Sequence, residues 1–111
     1  MNYSGSDIYC DLILTNKLKV EKVFESDKVL AFHHTKPFWQ IHIVVIPKEH
    51  ISSLVTLTPD NDQIVLELLD AIKQIANDVT QKYGSARVLT NLGKYQDSKH
   101  LHFHVSFGDE V

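Results

Sequence analysis

A chain of 111 residues, 43% hydrophobic, has room for one domain with a real core, and residues 1–111 are expected to form that single domain. Its net charge of −3 argues against a nucleic-acid polymer as partner, which needs a basic stripe to displace counterions, but not against a single nucleotide. One cysteine, Cys10, no membrane-length apolar run and a polar opening without a basic leader predict a cytoplasmic protein that leaves membranes alone.

Residues 1–6 read as an unstructured lead-in. Asp7 suits the cap of a short helix to about Leu18, with Ile8, Leu12 and Thr15 on one side. Val20 to Phe24 and Val29 to His33 read as strands around the turn signal Ser26-Asp27-Lys28. Lys36-Pro37 breaks the second, because proline supplies no N–H to a sheet. Gln40 to Ile46 is a third strand, rich in isoleucine and valine and ended by Pro47. Thr58-Pro59 opens a long helix over 59–83 that Gly84 closes, with Ile64, Leu68, Ile72, Ile75 and Val79 as its apolar stripe. Arg87 to Thr90 is a fourth strand and Asn91 to Lys99 a loop. Five short strands and one long helix exclude a doubly wound fold. They predict an α+β fold: a five-stranded antiparallel sheet with the long helix on one face and the short N-terminal helix beside it.

The fifth strand candidate carries the chemistry. In His100-Leu101-His102-Phe103-His104-Val105 three histidines alternate with three apolar residues, the period of a half-buried strand. Leu101, Phe103 and Val105 then face the core, and the histidines line the other face, roughly 7 Å apart. The other four histidines, His33, His34, His42 and His50, lie in the first half of the chain, and none falls between Ile51 and Lys99. Two regions rich in imidazole are thus expected to meet. A neutral imidazole attacks phosphorus well when its other nitrogen carries a fixed proton, and His102, at the centre of the row, is the candidate nucleophile.

A metal site is the rival reading, since two histidines at i and i+2 can share an ion with His42 or His50. Cys10 reads as a small apolar group of the short helix, because the second cysteine of a ligand pair, three positions on, is Ile13. His33 and His34 face opposite ways on a strand, so one is exposed or structural. His42 is either a satisfied core group or points into the site. His50 follows the turn signal Pro47-Lys48-Glu49 and reads as solvated. Phe38 and Trp39 pack over the sheet edge or offer a flat wall to a base or partner. Lys94, Tyr95 and Lys99 either meet phosphate or sit in solvent.

The segment His100-Leu101-His102-Phe103-His104-Val105-Ser106 resembles the signature of the histidine triad (HIT) family. His42-Ile43-Val44-Val45-Ile46-Pro47-Lys48-Glu49-His50-Ile51 resembles that family's second landmark, and Leu30-Ala31-Phe32-His33 is similar as well. The likeness runs from about Cys10 to Phe107, nearest to the Hint-type nucleoside phosphoramidases. It implies the same α+β fold, often as a twofold dimer with the long helix in the interface. It also implies reaction at the α-phosphate of a nucleotide through a covalent nucleotidyl-histidine. The attacking residue matches His102. His100 supports it, His104 sits near the leaving group, and His42 completes the site from the neighbouring strand. Asn91 matches an asparagine near phosphate and sugar.

Three departures accompany the resemblance. Some relatives carry zinc on Cys-x-x-Cys and two histidines that match His50 and His100; with Ile13 where a cysteine is needed, no metal and no cofactor are expected here. Hint-type relatives place an aspartate on the ribose where this chain has His34. The loop before the triad is about two residues shorter, so a phosphate-binding serine falls on Asp97 or Ser98. The reading is therefore a homodimeric nucleotide hydrolase or transferase, with His34, Asn91, Ser98 and His104 binding nucleotide. A nucleotide-binding protein with little turnover and a zinc hydrolase are the alternatives.

Overall fold

The computed structural model describes residues 7–111, with Leu12 by its backbone alone. The lead-in of residues 1–6 lies outside the described residues. Five strands, β1 (Lys22–Glu25), β2 (Val29–His33), β3 (Trp39–Pro47), β4 (Arg87–Leu89) and β5 (Phe103–Glu110), form one sheet in the order β1-β2-β3-β5-β4, with each adjacent pair antiparallel. One long helix, α1 (Asp62–Tyr83), crosses it. None of the helices among the described residues is long and apolar enough to cross a membrane.

Strand alternation divides the core in two. Val29, Ala31, Ile43, Val45 and Val105 face α1 and pack on Leu68, Ala71, Ile72, Ile75 and Val79. Leu30, Phe32, Val44 and Ile46 face the other way and pack on Tyr9 and Ile13. Because successive strand residues point to opposite faces, His42 and His104 belong to this second face, away from the long helix.

The structure corrects several expected boundaries. The N-terminal helix is a short π-helical segment, Tyr9–Ile13, closed by Leu14 N–H on the Tyr9 carbonyl at 2.7 Å. Asp7 does cap it, its Oδ1 accepting the Cys10 amide at 3.0 Å. Asn16, with a left-handed φ of 60°, stops the chain from continuing to Leu18. Its buried face is Tyr9 and Ile13, while Thr15 is exposed. Residues 59–61 form a separate tight turn, and the α-helix proper begins at Asp62. Gly84 ends it at φ 98°, as a left-handed cap requires.

The largest correction concerns the triad. The fifth strand begins at Phe103, so His100, Leu101 and His102 precede the ladder. Two neighbours explain this. A ladder position opposite Leu101 would fall on Pro47, which has no N–H, and the Pro47 carbonyl is taken by the His100 ring at 2.8 Å. Instead, Leu101 N–H bonds the Ile51 carbonyl and the Thr90 hydroxyl donates to the His102 carbonyl at 2.7 Å.

Candidate functional site

Four rings meet on the face opposite α1. His104 comes from β5 and His42 from the facing β3, offset by two residues, with Val44 opposite His104 and Ser106 opposite His42. His34 follows β2 and stacks on His42 with centroids 4.4 Å apart. His102 stands edge-on to His104 at 5.0 Å and against Tyr9 at 5.0 Å. His33 is exposed, which leaves His34 as the member of that pair in the site.

Hydrogen bonds to acceptor-only and donor-only partners fix the tautomers. His102 Nδ1–H donates to the His100 carbonyl at 2.7 Å, which leaves the lone pair on Nε2. The Phe38 amide donates to His42 Nδ1 at 3.0 Å, so the His42 proton sits on Nε2. That proton points to His104 Nδ1 at 2.8 Å, so neutral His104 carries its own on Nε2. The Lys36 amide donates to His34 Nδ1 at 3.0 Å, and His34 too is an Nε2–H donor. One turn, Lys36-Pro37-Phe38, thus sets two of the four rings.

Burial lowers the basicity of all four. It pushes His104 down to about 3, helped by the neighbouring charges of His102, His42 and His34. His42 is pushed to about 4 by burial and then by His34. His102 and His34 are lowered chiefly by burial as well. Near neutral pH the unliganded site holds one nucleophilic nitrogen and several N–H donors without a net imidazolium charge.

His100 is completely buried and lines neither cavity of the site. It acts through its backbone, as the acceptor that orients His102. Its ring faces elsewhere. His100 Nδ1 lies 3.0 Å from Asp7 Oδ2 and 3.3 Å from Cys10 Sγ, and His50 Nδ1 contacts the same Asp7 oxygen. The donor atoms of Asp7, Cys10, His50 and His100 all lie within 4.8 Å of one another. Sequence reasoning looked forward from Cys10 to Ile13 and found the ligand pair broken. The structure supplies the partner three residues back, as Asp7, on the same turn. One oxygen, one sulfur and two nitrogens suit a tetrahedral zinc-like ion. The His100 Nε2–H on the Pro47 carbonyl is the kind of outer bond that orients a ligating imidazole. The donor set fits a metal ion.

Two cavities open on the imidazole cluster. The first, about 300 Å³, has apolar walls from Ile8, Tyr9, Ile13 and Phe32 and is lined by His102 and Ser98. The second, about 330 Å³, is lined by Phe38, Trp39, Leu89, Asn91 and His42. His34, Asp97 and His104 border both. Ser98 is buried and its hydroxyl has no hydrogen-bond partner among the described residues, an unmet demand at the cavity wall. Asn91 reaches only the second cavity. Sequence reasoning missed Tyr9, Phe32 and Thr90, whose types carry no signal of their own. It also missed Asp7, which Asp-x-x-Cys spacing would have flagged.

Comparison with known proteins places the fold and the family. The model for the scavenger mRNA decapping enzyme C-terminal binding region matches residues 6–109. A HIT-like protein of Borreliella burgdorferi is 36% identical over 104 residues, covering 88% of this chain and 72% of its own. A HIT family hydrolase from Clostridium thermocellum superposes with a TM-score of 0.81 at 28% identity, over 96% and 93% of the two chains. A histidine triad protein from Clostridium difficile does so at 0.79 and 32%, over 99% and 96%. The chain belongs to the histidine triad (HIT) family, and its fold is that of the family's hydrolases.

Proposed function

We propose that this protein is a nucleotide hydrolase or transferase that cleaves at the α-phosphate of a nucleoside phosphoramidate or related nucleotide through a nucleotidyl-histidine. The observation that carries the reading is the tautomer of His102. Its Nδ1 proton is held by the His100 carbonyl, so Nε2 offers a lone pair to the cavity. The nucleoside lies against the apolar wall of Tyr9 and Phe32, and the phosphate satisfies the unpartnered Ser98 hydroxyl.

Binding of a phosphate anion reverses the electrostatics of the cluster. Its negative charge draws a proton onto the His42–His104 pair. His102 Nε2 attacks phosphorus as the bond to the leaving atom breaks. The electron pair of that bond stays on the leaving atom, which takes the proton from His104. Water then attacks the nucleotidyl-histidine, and His104, now neutral, accepts the water's proton. The remaining N–H groups hold the charge on the phosphoryl oxygens.

A metal held by Asp7, Cys10, His50 and His100 would supply a rigid cross-link between the N-terminal segment and the triad. Four protein ligands would leave no open position for substrate, so such an ion would support the fold and not the reaction. Exposed Val88 and Leu89 on the edge strand β4, with exposed Leu66 and Leu69 on α1, support a homodimer as the working form.

The test is single-turnover reaction with adenosine and guanosine phosphoramidates, followed by acid quench and mass spectrometry. A nucleotidyl adduct on His102 is expected. His102→Ala should lose turnover by several orders of magnitude while still binding nucleoside monophosphate. An adduct on another residue, or a fully active His102→Ala protein, would overturn the mechanism.

A further inference from the structure

The second cavity is not accounted for by binding a nucleotide and attacking it. His102 lines only the first cavity, His42 only the second, and His104 borders both. An in-line displacement needs the nucleophile and the leaving group on opposite sides of phosphorus. The second cavity, which His102 does not line, is the space left for that group, and His104, which the reaction above uses as proton donor, borders both cavities.

The wall of that cavity is aromatic and pre-set. Phe38 and Trp39 meet edge to face with centroids 5.1 Å apart at 80°. The Arg87 guanidinium lies over the Trp39 ring at 4.4 Å and is itself anchored on the Ser106 hydroxyl at 3.2 Å and the Gly108 carbonyl. The Phe38 backbone is held at both ends: its amide by His42 and its carbonyl by the Val111 amide at 3.1 Å. Yet Phe38 is 54% exposed. A large aromatic ring whose backbone is tied down while its surface stays open is costly to keep solvated and available for stacking.

We infer that this second cavity is a leaving-group subsite in which Phe38 and Trp39 select planar aromatic leaving groups over saturated ones of the same size. The inference rests on the hydrolase reading and names its substrate class. In the step it serves, the bond from phosphorus to the leaving nitrogen breaks as the bond from His102 Nε2 forms. The electron pair remains on that nitrogen, which takes the His104 proton and leaves as a free amine alongside Phe38. Because Phe38 N–H also sets the His42 tautomer, a ring seated on Phe38 holds the turn that orients the proton donor.

The experiment compares two nucleoside 5′-phosphoramidates, one of benzylamine and one of cyclohexylmethylamine, each kcat/KM corrected for the compound's uncatalysed hydrolysis. The wild-type protein should favour the benzyl compound by about fivefold, the scale of one aromatic contact. Phe38→Leu should bring the ratio to within about twofold, Trp39→Leu likewise, and Phe38→Tyr should keep the preference. Phe38 is exposed, so its substitution tests the idea even where Trp39→Leu fails to fold. Turnover of both compounds with no preference in the wild type, or with the same preference in Phe38→Leu, overturns the subsite and leaves the hydrolase reading standing. Turnover of neither compound overturns both.

Discussion

His42 Nε2 lies 2.8 Å from His104 Nδ1, and that contact fixes which nitrogen of His104 can give a proton to a ligand. The two residues are 62 positions apart and meet because β3 pairs with β5. His42 is therefore a positioning residue. His42→Ala should lower kcat by about 10- to 100-fold with KM changed far less, a smaller loss than the roughly 10²–10⁴-fold of removing an acid–base group itself. His42→Gln, which can place an amide N–H near the same nitrogen, should recover part of that loss and shift the acid limb of the pH profile. Equal losses in both variants with an unmoved profile would make His42 merely structural.

The imidazoles also set an acid limit on stability. His104 and His42 fall from the ordinary 6.5 to about 3 and about 4, mainly through burial. Unfolding exposes both rings, which then take up protons below 6.5, so the unfolded state binds more protons than the folded one. Stability is full above about 6.5, falls as pH drops towards the folded values, and levels off for these two groups below them. Each ring contributes a slope of at most about 1.4 kcal/mol per pH unit, less where solvent reaches it. Thermal melts between pH 7 and 5 should show this decline, and His42→Phe should flatten it. A melting temperature that holds steady across that range would contradict the assignment.

Much of this arrangement was readable from the residues. Period-2 alternation puts His104 and Val105 on opposite faces, whereas His42 stays open in the sequence between a core group and a site residue. What escaped the sequence was decided by partners distant in the chain. Pro47 ends the ladder before His102 because its missing N–H falls opposite Leu101, which needs the register of β3 on β5. The amides of Lys36 and Phe38 choose the tautomers of His34 and His42, and no composition encodes a turn's hydrogen bonds. Asp7 was visible but assigned only to capping. On a helical turn, positions three before and three after Cys10 are equally near, and only the tertiary packing of His50 and His100 decides between them.

The Asp7–Cys10–His50–His100 cluster predicts a bound divalent metal. Protein purified without chelator should carry about one zinc-like ion per chain by elemental analysis, and removing it should lower the melting temperature. Asp7→Ala should weaken retention of the ion more than Asp11→Ala, since Asp11 offers no donor atom to the cluster. A metal-free chain with an unchanged melt after chelation would show that hydrogen bonds alone join these four residues.

Edge strand β4 and the exposed leucines of α1 predict a dimer. Light scattering should give twice the chain mass, and Leu66→Glu with Leu69→Glu should shift the protein towards monomer. A monomer in the wild type at micromolar concentration would remove this face from consideration.

The last prediction concerns the sugar. A carboxylate accepts hydrogen bonds from both ribose hydroxyls at once, and such charge-assisted bonds are the strong kind. His34 cannot do this. Its Nδ1 is already filled by the Lys36 amide, so the neutral ring offers only its Nε2 proton to a ligand. One hydroxyl oxygen can accept that proton, and the second gets nothing from this residue. Recognition of ribose should therefore be weaker by roughly 1–2 kcal/mol than with a carboxylate at this position. The wild-type protein should discriminate poorly between ribo- and 2′-deoxyribonucleotide substrates. His34→Asp should lower KM for the ribonucleotide more than for the deoxy compound. Asp97, which borders the same cavity, will temper the gain by like-charge repulsion. The measurement is kcat/KM for both substrates in both proteins. A wild type that strongly prefers ribose, with a preference that His34→Asp leaves unchanged, would mean that another residue of the first cavity reads the sugar.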